Sequence, residues 1–353
     1  MPTRILGAGP AGLAAAITLA RAGRTVDVYE RRHECGARFS GDLQGLENWS
    51  SPVDAIAELR DNGIDADFHH GAVFHAVQTN GVRDDRLSFG RPGLYLLKRG
   101  TAADTLDQSL KRQALAAGAR LHFGASIDPD SADIIATGPR GRTIFAVDRG
   151  IVFDTDSPDC AVVLMDDRAA ANGYAYLLVS GGYGCLCTML FEDFPSIHRR
   201  LAYTRSLLTT RYGITVRRAR PAGGVGHFAL KTAFRSGTAL CVGEAAGLQD
   251  FLWGFGIRTA LGSGIAAARC MLEGGDWQAE AGRRFAEPLR ASIVNRFLFD
   301  TLRHGRCALL MALFRLGGPY DLLHAMWRLS PLHRALFPVA HAYARRRYPQ
   351  LDL

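Results

Sequence analysis

Lysine is nearly missing from this sequence: Lys98, Lys111 and Lys231 are three of its 42 basic residues, and arginine supplies the rest. The formal net charge of +8 admits nucleic acid, an anionic membrane surface or an acidic substrate as a partner. No zinc finger, RNP-type motif or basic region accompanies that charge, so nucleic acid is not expected. None of the seven cysteines (Cys35, Cys160, Cys185, Cys187, Cys241, Cys270, Cys307) belongs to a CxxC pair. An odd, scattered set fits reduced thiols in the cytoplasm better than a disulfide framework. His69, His70 and His75 lack a partner at metal-ligand spacing, so no metal is expected. No apolar run approaches the ~20 residues that span a bilayer. The sequence starts directly on its first predicted strand, so no signal peptide is expected. No Pro/Gly/Ser-rich linker divides the 353 residues, which points to interwoven domains rather than two beads on a string.

What is present is concentrated at the N-terminus. The stretch from Thr3 to Arg31, TRILGAGPAGLAAAITLARAGRTVDVYER, reads as a strand (Arg4 to Leu6), a glycine turn, a helix (Ala11 to Ala22) and a second strand (Thr25 to Tyr29) ending in Glu30. A G-x-G-x-x-G spacing in that context, with an acid about 20 residues on, is the dinucleotide fingerprint. Gly7 permits the turn, Gly9 lets backbone approach a pyrophosphate, and Gly12 lets the helix lie close to the strands. Pro10 and Ala11 open the helix, whose free N–H groups attract phosphate. Glu30 can accept both hydroxyls of a ribose and would repel a 2′-phosphate, so the ligand is FAD or NAD rather than NADP.

Past Glu30, a loop through Arg31 and Cys35 to Ser40 is expected to run from the adenosine end toward a ring, with Arg38 a candidate phosphate or ribose contact. A helix (Val53 to Asn62) and short alternating segments (Phe74 to Val77, Arg86 to Phe89) follow. The stretch from Gly93 to Gly100 reads as a strand ending in Arg99. A helix (Ala102 to Ala117) then leads to strands at Arg120 to Phe123 and Ala132 to Ala136, giving α/β structure with parallel strands. Ile127, past the first of these, is a further candidate cofactor contact. Between about Gly150 and Ala233 the runs IVFDTD, CAVVLM, YAYLLV and GCLCTMLF alternate with period two, which predicts a mainly antiparallel sheet forming the wall of a substrate pocket. Cys185 and Cys187 share one face of a strand there and are read as core residues.

The segment from Gly237 to Ala268 returns to the first domain with a strand, Gly243-Glu244, and a second glycine turn at Gly254 and Gly256 opening a Gly/Ala-rich helix. Together with GAGPAGLAAA and Arg99 before a helix, it resembles the FAD-dependent oxidoreductases of the geranylgeranyl reductase type, within the hydroxybenzoate-hydroxylase-like superfamily. The family's late motif, G-D-A-A-G-x-x-x-P-x-x-G-x-G-I and an A-x-x-S-G helix, is matched by Gly243, Ala245, Ala246, Gly247, Gly254, Gly256, Ile257, Ala260, Ser263 and Gly264. Glu244 replaces the acid and Phe251 the proline, whose loss is expected to loosen the turn. Gly173, Tyr174 and Tyr176 resemble the family's substrate-side strand. The resemblance implies non-covalent FAD held by Gly9, Ala11 and Gly12 at the pyrophosphate, Glu30 at the ribose, and Arg99 and Glu244 farther along, with Gly254, Phe255, Gly256 and Ile257 near the ring. It departs at Ala103, where an aspartate usually follows Arg99.

The Asp-Gly motif of aromatic monooxygenases and the W-x-W-x-I-P run of halogenases are both absent. The resemblance therefore implies a reductase or desaturating oxidase acting at C=C bonds of an apolar, prenyl- or polyene-like substrate, with reduced pyridine nucleotide or ferredoxin as electron donor. A monooxygenase or halogenase-like tailoring enzyme is the alternative, and a non-redox cyclase or a non-catalytic flavin-binding partner the alternative of another class. Candidate catalytic or ring-contacting residues are Ser40, Cys35, Tyr174 and Trp253. The expected architecture is a Rossmann-like FAD domain (1–70, 94–149, 234–274), an interwoven antiparallel substrate domain (71–93, 150–233) and a helical region (275–353). That last region mixes Leu, Phe, Met and Trp with Arg. It reads as a cap over the pocket, as an element resting on anionic lipid at the inner face of the membrane, or as both.

Overall fold

The computed structural model describes residues 1–139, 144–230, 232–302 and 306–348, so the expected thiol of Cys307 lies outside the described side chains. Three sheets organise the chain. The first, in the order Arg235–Ser236, Ala239–Cys241, Ile134–Ile135, Thr3–Leu6, Val26–Glu30 and Arg120–Phe123, is parallel except for its first pair. Helices Pro10–Arg21, Leu106–Ala116 and Ile257–Glu273 accompany it. The N-terminal strand and helix lie within one residue of their predicted bounds, because a largely buried apolar strand, a glycine turn and an alanine-rich helix leave little choice of register. The predicted strand from Ala132 to Ala136 pairs only over Ile134–Ile135.

The second sheet has seven strands, Arg217–Gly226, Ala146–Asp154, Tyr183–Leu190, Tyr174–Ser180, Cys160–Leu164, His75–Thr79 and Asp84–Ser88, antiparallel except between Cys160–Leu164 and His75–Thr79. The four alternating runs thus become four neighbouring strands. The expected boundary at 149/150 falls inside Ala146–Asp154. Strand Arg217–Gly226 and helix Ile197–Arg211 carry no clear periodic signal, and the strand's proline is tolerated because it lies at the sheet edge.

A third, small sheet corrects two expectations. Leu43–Glu47, expected as loop, pairs antiparallel with Leu94–Lys98, expected in the parallel sheet, and His70–Val73 completes it. Its strand LQGLE carries a glycine that hides it: a Cβ on Gly45 would lie 2.8 Å from the Phe255 ring, so close approach overrides strand propensity.

Helices Trp277–Thr301, Arg306–Leu316, Pro319–Trp327 and Pro331–Arg347 follow. Trp277 is fully buried and donates its indole N–H to the Cys241 carbonyl at 3.2 Å, anchoring them to the first sheet. A buried Arg296–Asp300 pair at 2.8 Å anchors them to the second, since Asp300 also accepts from Asn172 and from the Tyr348 hydroxyl. No helix among the described residues is long and apolar enough to cross a membrane.

A candidate cofactor and substrate cavity

Two helices open onto one cavity of about 980 Å³, near the upper end of the range for ligand pockets. Asp54, Thr105, Asp276 and Ser330 cap their own helices by accepting backbone N–H groups. By contrast, Pro10–Arg21 begins after Gly9 and Ile257–Glu273 after Gly256 with no side-chain cap. The unpaired N–H groups of both are therefore available to an anion or a polar ring edge. The helices approach closely because Gly264 leaves room for the Ala11 backbone, and Gly12 lets its helix lie against the glycine turn. A Cβ on Gly264 would stand 2.1 Å from the Ala11 carbonyl oxygen, and one on Gly12 would stand 2.0 Å from that of Gly7. Gly7 has φ +107° and equally leaves no room, since a Cβ there would stand 2.4 Å from the Ala136 oxygen. A Cβ on Gly9 or Gly254 would meet nothing within 4 Å. Protein contacts thus account for Gly7, Gly12 and Gly264, whereas Gly9 and Gly254 keep space open, as a dinucleotide cradle requires.

The sequence candidates divide accordingly. Gly9, Pro10, Ala11, Glu30, Arg31, Arg38, Arg99, Gly243, Glu244, Gly254, Phe255, Gly256, Ile257, Tyr174 and Trp253 line the cavity. Gly7 and Gly12 shape it from behind. Glu30 accepts the backbone N–H groups of Ala8 at 3.0 Å and Arg32 at 2.9 Å, which fixes its carboxylate at the strand end. Arg38 donates to the Val225 carbonyl at 3.1 Å and approaches Glu244 at 3.7 Å. Arg99 is buried, and its guanidinium forms a bidentate pair with Asp107 at 2.9 and 2.8 Å while donating to Gln44 at 3.0 Å. Asp107, four residues past Ala103, is the carboxylate that pairs with Arg99 here.

Three candidates fall outside. Cys35 is packed in the core of the first sheet, with burial pushing its thiol up to about 12. Ser40 is exposed and its backbone N–H, at 3.3 Å, bonds Asp42 instead. Ile127 packs half-buried against that same core. None of the three lines the cavity, so neither Cys35 nor Ser40 is placed to act on a bound molecule.

One face of the seven-stranded sheet forms the opposite wall, with Ala146 and Asp148, Cys185 and Cys187, and Tyr174, Tyr176 and Leu178 from successive strands. Cys185 and Cys187 are therefore wall as well as core, and neither is disulfide-bonded. Asp148 was not legible as a site residue: the run AVDRGIVFD looks like an ordinary strand, and only the register places its carboxylate inward. Burial raises its pKa, Arg38 opposes that, and the Cys187 thiol donates to its Oδ2 at 3.7 Å. Asp42, also on the wall, is pushed up to about 6 by burial. Tyr174 donates its hydroxyl to the Trp253 carbonyl, and the two rings meet edge-on at 5.5 Å. The Trp253–Gly256 turn needs no proline: the Asp250 carboxylate accepts the N–H groups of Trp253 at 2.6 Å and Leu252 at 3.3 Å, while Phe251 packs among Phe145 and Phe228. Phe314 and Leu323, from the C-terminal helices, close the apolar end.

Residues 5–48 match the NAD(P)-binding Rossmann-like domain. No curated protein matches the chain. Among solved structures, it is similar to a geranylgeranyl bacteriochlorophyll reductase-like protein from Thermoplasma acidophilum, with 17% identity and a TM-score of 0.66 over 99% of this chain and 97% of that one. It is similar to the flavin-dependent brominase Bmp2, with 14% identity and a TM-score of 0.66 over 98% and 99%. Aklavinone-11 hydroxylase, solved with FAD and aklavinone, shares 19% identity with a TM-score of 0.52 over 77% of this chain and 63% of that one. At such identities the likeness is one of fold. The chain has the Rossmann-like architecture found in geranylgeranyl reductase-like proteins and in other flavin-dependent oxidoreductases, monooxygenases and halogenases.

Proposed function

We propose that the protein is an FAD-dependent oxidoreductase that reduces C=C bonds of an apolar, prenyl- or polyene-like molecule. The observation that carries this reading is the single cavity. One end is built from two uncapped helix starts, Gly9 and Glu30, and the other from apolar side chains of the large sheet and the C-terminal helices.

Gly9 and Ala11 would hold the pyrophosphate of FAD and Glu30 its ribose, and the uncapped start of the Ile257 helix would favour negative charge on the reduced cofactor. When reduced, the cofactor supplies a hydride; reduced pyridine nucleotide or ferredoxin supplies its electrons. Tyr174, Trp253 and Phe255 orient the substrate and exclude water. The Asp148 carboxyl, its pKa raised by burial and lying beside the Cys187 thiol, is placed to deliver the proton to the second alkene carbon. The C-terminal helices rest on anionic lipid through the apolar stripe that Leu309, Leu313 and Leu316 expose on helix Arg306–Leu316.

The test is anaerobic incubation of FAD-loaded, dithionite-reduced protein with geranylgeraniol, followed by mass spectrometry. Gain of two hydrogens per reduced double bond supports the reading. An unchanged alkene, together with aromatic-stimulated oxygen uptake in the presence of NADPH, would replace it with a monooxygenase.

A further inference from the structure

Three neighbouring strands of the large sheet bring a proton-rich patch onto the cavity wall. Asp148 and Gly150 share one face of strand Ala146–Asp154, Cys187 stands opposite Gly150 on the next strand, and Tyr176 stands opposite Cys187 on the one after. Gly150 leaves the thiol room, since a Cβ there would stand 2.9 Å from the Cys187 Sγ. Asp148, Cys187 and Tyr176 all line the cavity, and the row continues into apolar Val163. The Tyr176 hydroxyl lies beside the thiols of Cys185 and Cys187. Tyr174 has committed its hydroxyl to the Trp253 carbonyl. Tyr176 has no such acceptor among the described residues; burial and nearby charge are what act on its phenol. Its oxygen is not one of the polar atoms enclosed without a partner, and on a half-buried residue that lines the cavity it opens on the lumen.

Sulfur is a weak acceptor, so a ligand oxygen competes well for the Tyr176 proton. Burial raises the pKa of Tyr176 and of Cys187 well above their ordinary values and raises that of Asp148 too. The patch is thus rich in protons and poor in acceptors. A carbonyl, which has two lone pairs and no proton of its own, complements it. We propose that the double bond reduced here is conjugated to a carbonyl, and that Tyr176 is a catalytic residue whose hydroxyl donates a hydrogen bond to that oxygen. The proposal rests on the reading of the cavity as that of an apolar-substrate reductase and names the group that activates the alkene. Hydride, with its electron pair, adds to the alkene carbon farther from the carbonyl, and the displaced pair of the double bond is carried on the oxygen that Tyr176 holds. Return of that pair to the nearer carbon, with a proton from Asp148, leaves a saturated bond and an intact carbonyl. One hydride and one proton are consumed, the two electrons being those of the reduced cofactor. A donor aimed at a developing oxyanion in a water-excluding site acts strongly. An isolated alkene leaves the charge on carbon, so among prenyl molecules this wall favours conjugated ones.

The experiment uses oxidised, FAD-loaded protein, in which no turnover occurs. Its ligands are pseudoionone, a prenyl ketone conjugated to its alkenes, and farnesene, a hydrocarbon of similar size. Infrared difference spectra read the carbonyl stretch of isotope-labelled pseudoionone, and calorimetry reads both dissociation constants. In the wild type the stretch is expected to fall below its position in hexane. Tyr176→Phe should return it to that position and bind pseudoionone about tenfold more weakly, the scale of one neutral hydrogen bond, with farnesene affinity and FAD content unchanged. An unshifted stretch in the wild type overturns the assignment even if the variant fails to fold. A shift that persists in the variant, or binding of farnesene without pseudoionone, overturns it as well, and each of these leaves the apolar-substrate reading intact. Binding of neither ligand by the wild type removes that reading and the assignment with it.

Discussion

Replacing Glu47 with glutamine should make the protein more stable at alkaline pH and change it little in acid. Glu47 ends strand Leu43–Glu47, is 1% exposed, and has one carboxylate oxygen, Oε2, without a partner; the other lies 3.4 Å from the Ser50 hydroxyl. Burial pushes its pKa from 4.5 to about 7, with Arg258 opposing. Between those values the native state holds a proton that the unfolded chain has released, so stability falls as pH rises through the window and the loss is complete above about 7. Each tenfold change in proton affinity is worth about 1.4 kcal/mol, so the full penalty is about 3 kcal/mol. Glu47→Gln keeps the shape and removes the ionisation. Urea unfolding of both proteins at pH 5 and pH 8 measures most of it: the difference between them should grow in favour of the variant by about 2.5 kcal/mol at the higher pH. A difference of equal size at both pH values would refute the linkage.

Other consequences are more local. Gly264→Ala places a methyl group on the Ala11 carbonyl oxygen, and should cost about 1–3 kcal/mol of stability by thermal melting while weakening FAD retention, because it parts the two helices whose starts form the cradle. Asp148→Asn should leave FAD bound but lower alkene reduction by about 10²–10⁴-fold. The wild-type rate should fall as pH rises through the raised pKa of Asp148, and the residual rate of the variant should lose that dependence. In sedimentation with anionic liposomes, the protein should pellet at low salt and release at higher salt; protein that stays in the supernatant in both would end the membrane proposal.

The N-terminal strand, glycine turn and helix were legible because their requirements are local. A glycine turn, a helix start and a strand-end acid lie within 30 residues, and the second glycine turn repeats the device near Gly254 and Gly256. The four alternating runs also gave their strands correctly. What escaped depends on partners distant in sequence. Leu43–Glu47 is a strand only because Leu94–Lys98 lies beside it, and its glycine exists for the Phe255 ring. Asp148 reaches the cavity through the register of a sheet whose strands come from residues 75 to 226. No spacing rule marks one inward acid among ordinary strand residues. Conversely, Cys35 matched by composition and failed by position, since its thiol belongs to the core beneath the cradle.

FAD content is the most direct measurement. After purification with excess FAD and removal of the free cofactor, the wild type is expected to be yellow, with one FAD per chain. Gly9→Val, whose side chain would fill space that no protein atom occupies, should be equally folded by circular dichroism and colourless. A wild-type protein that is folded, colourless and empty of FAD would contradict the account.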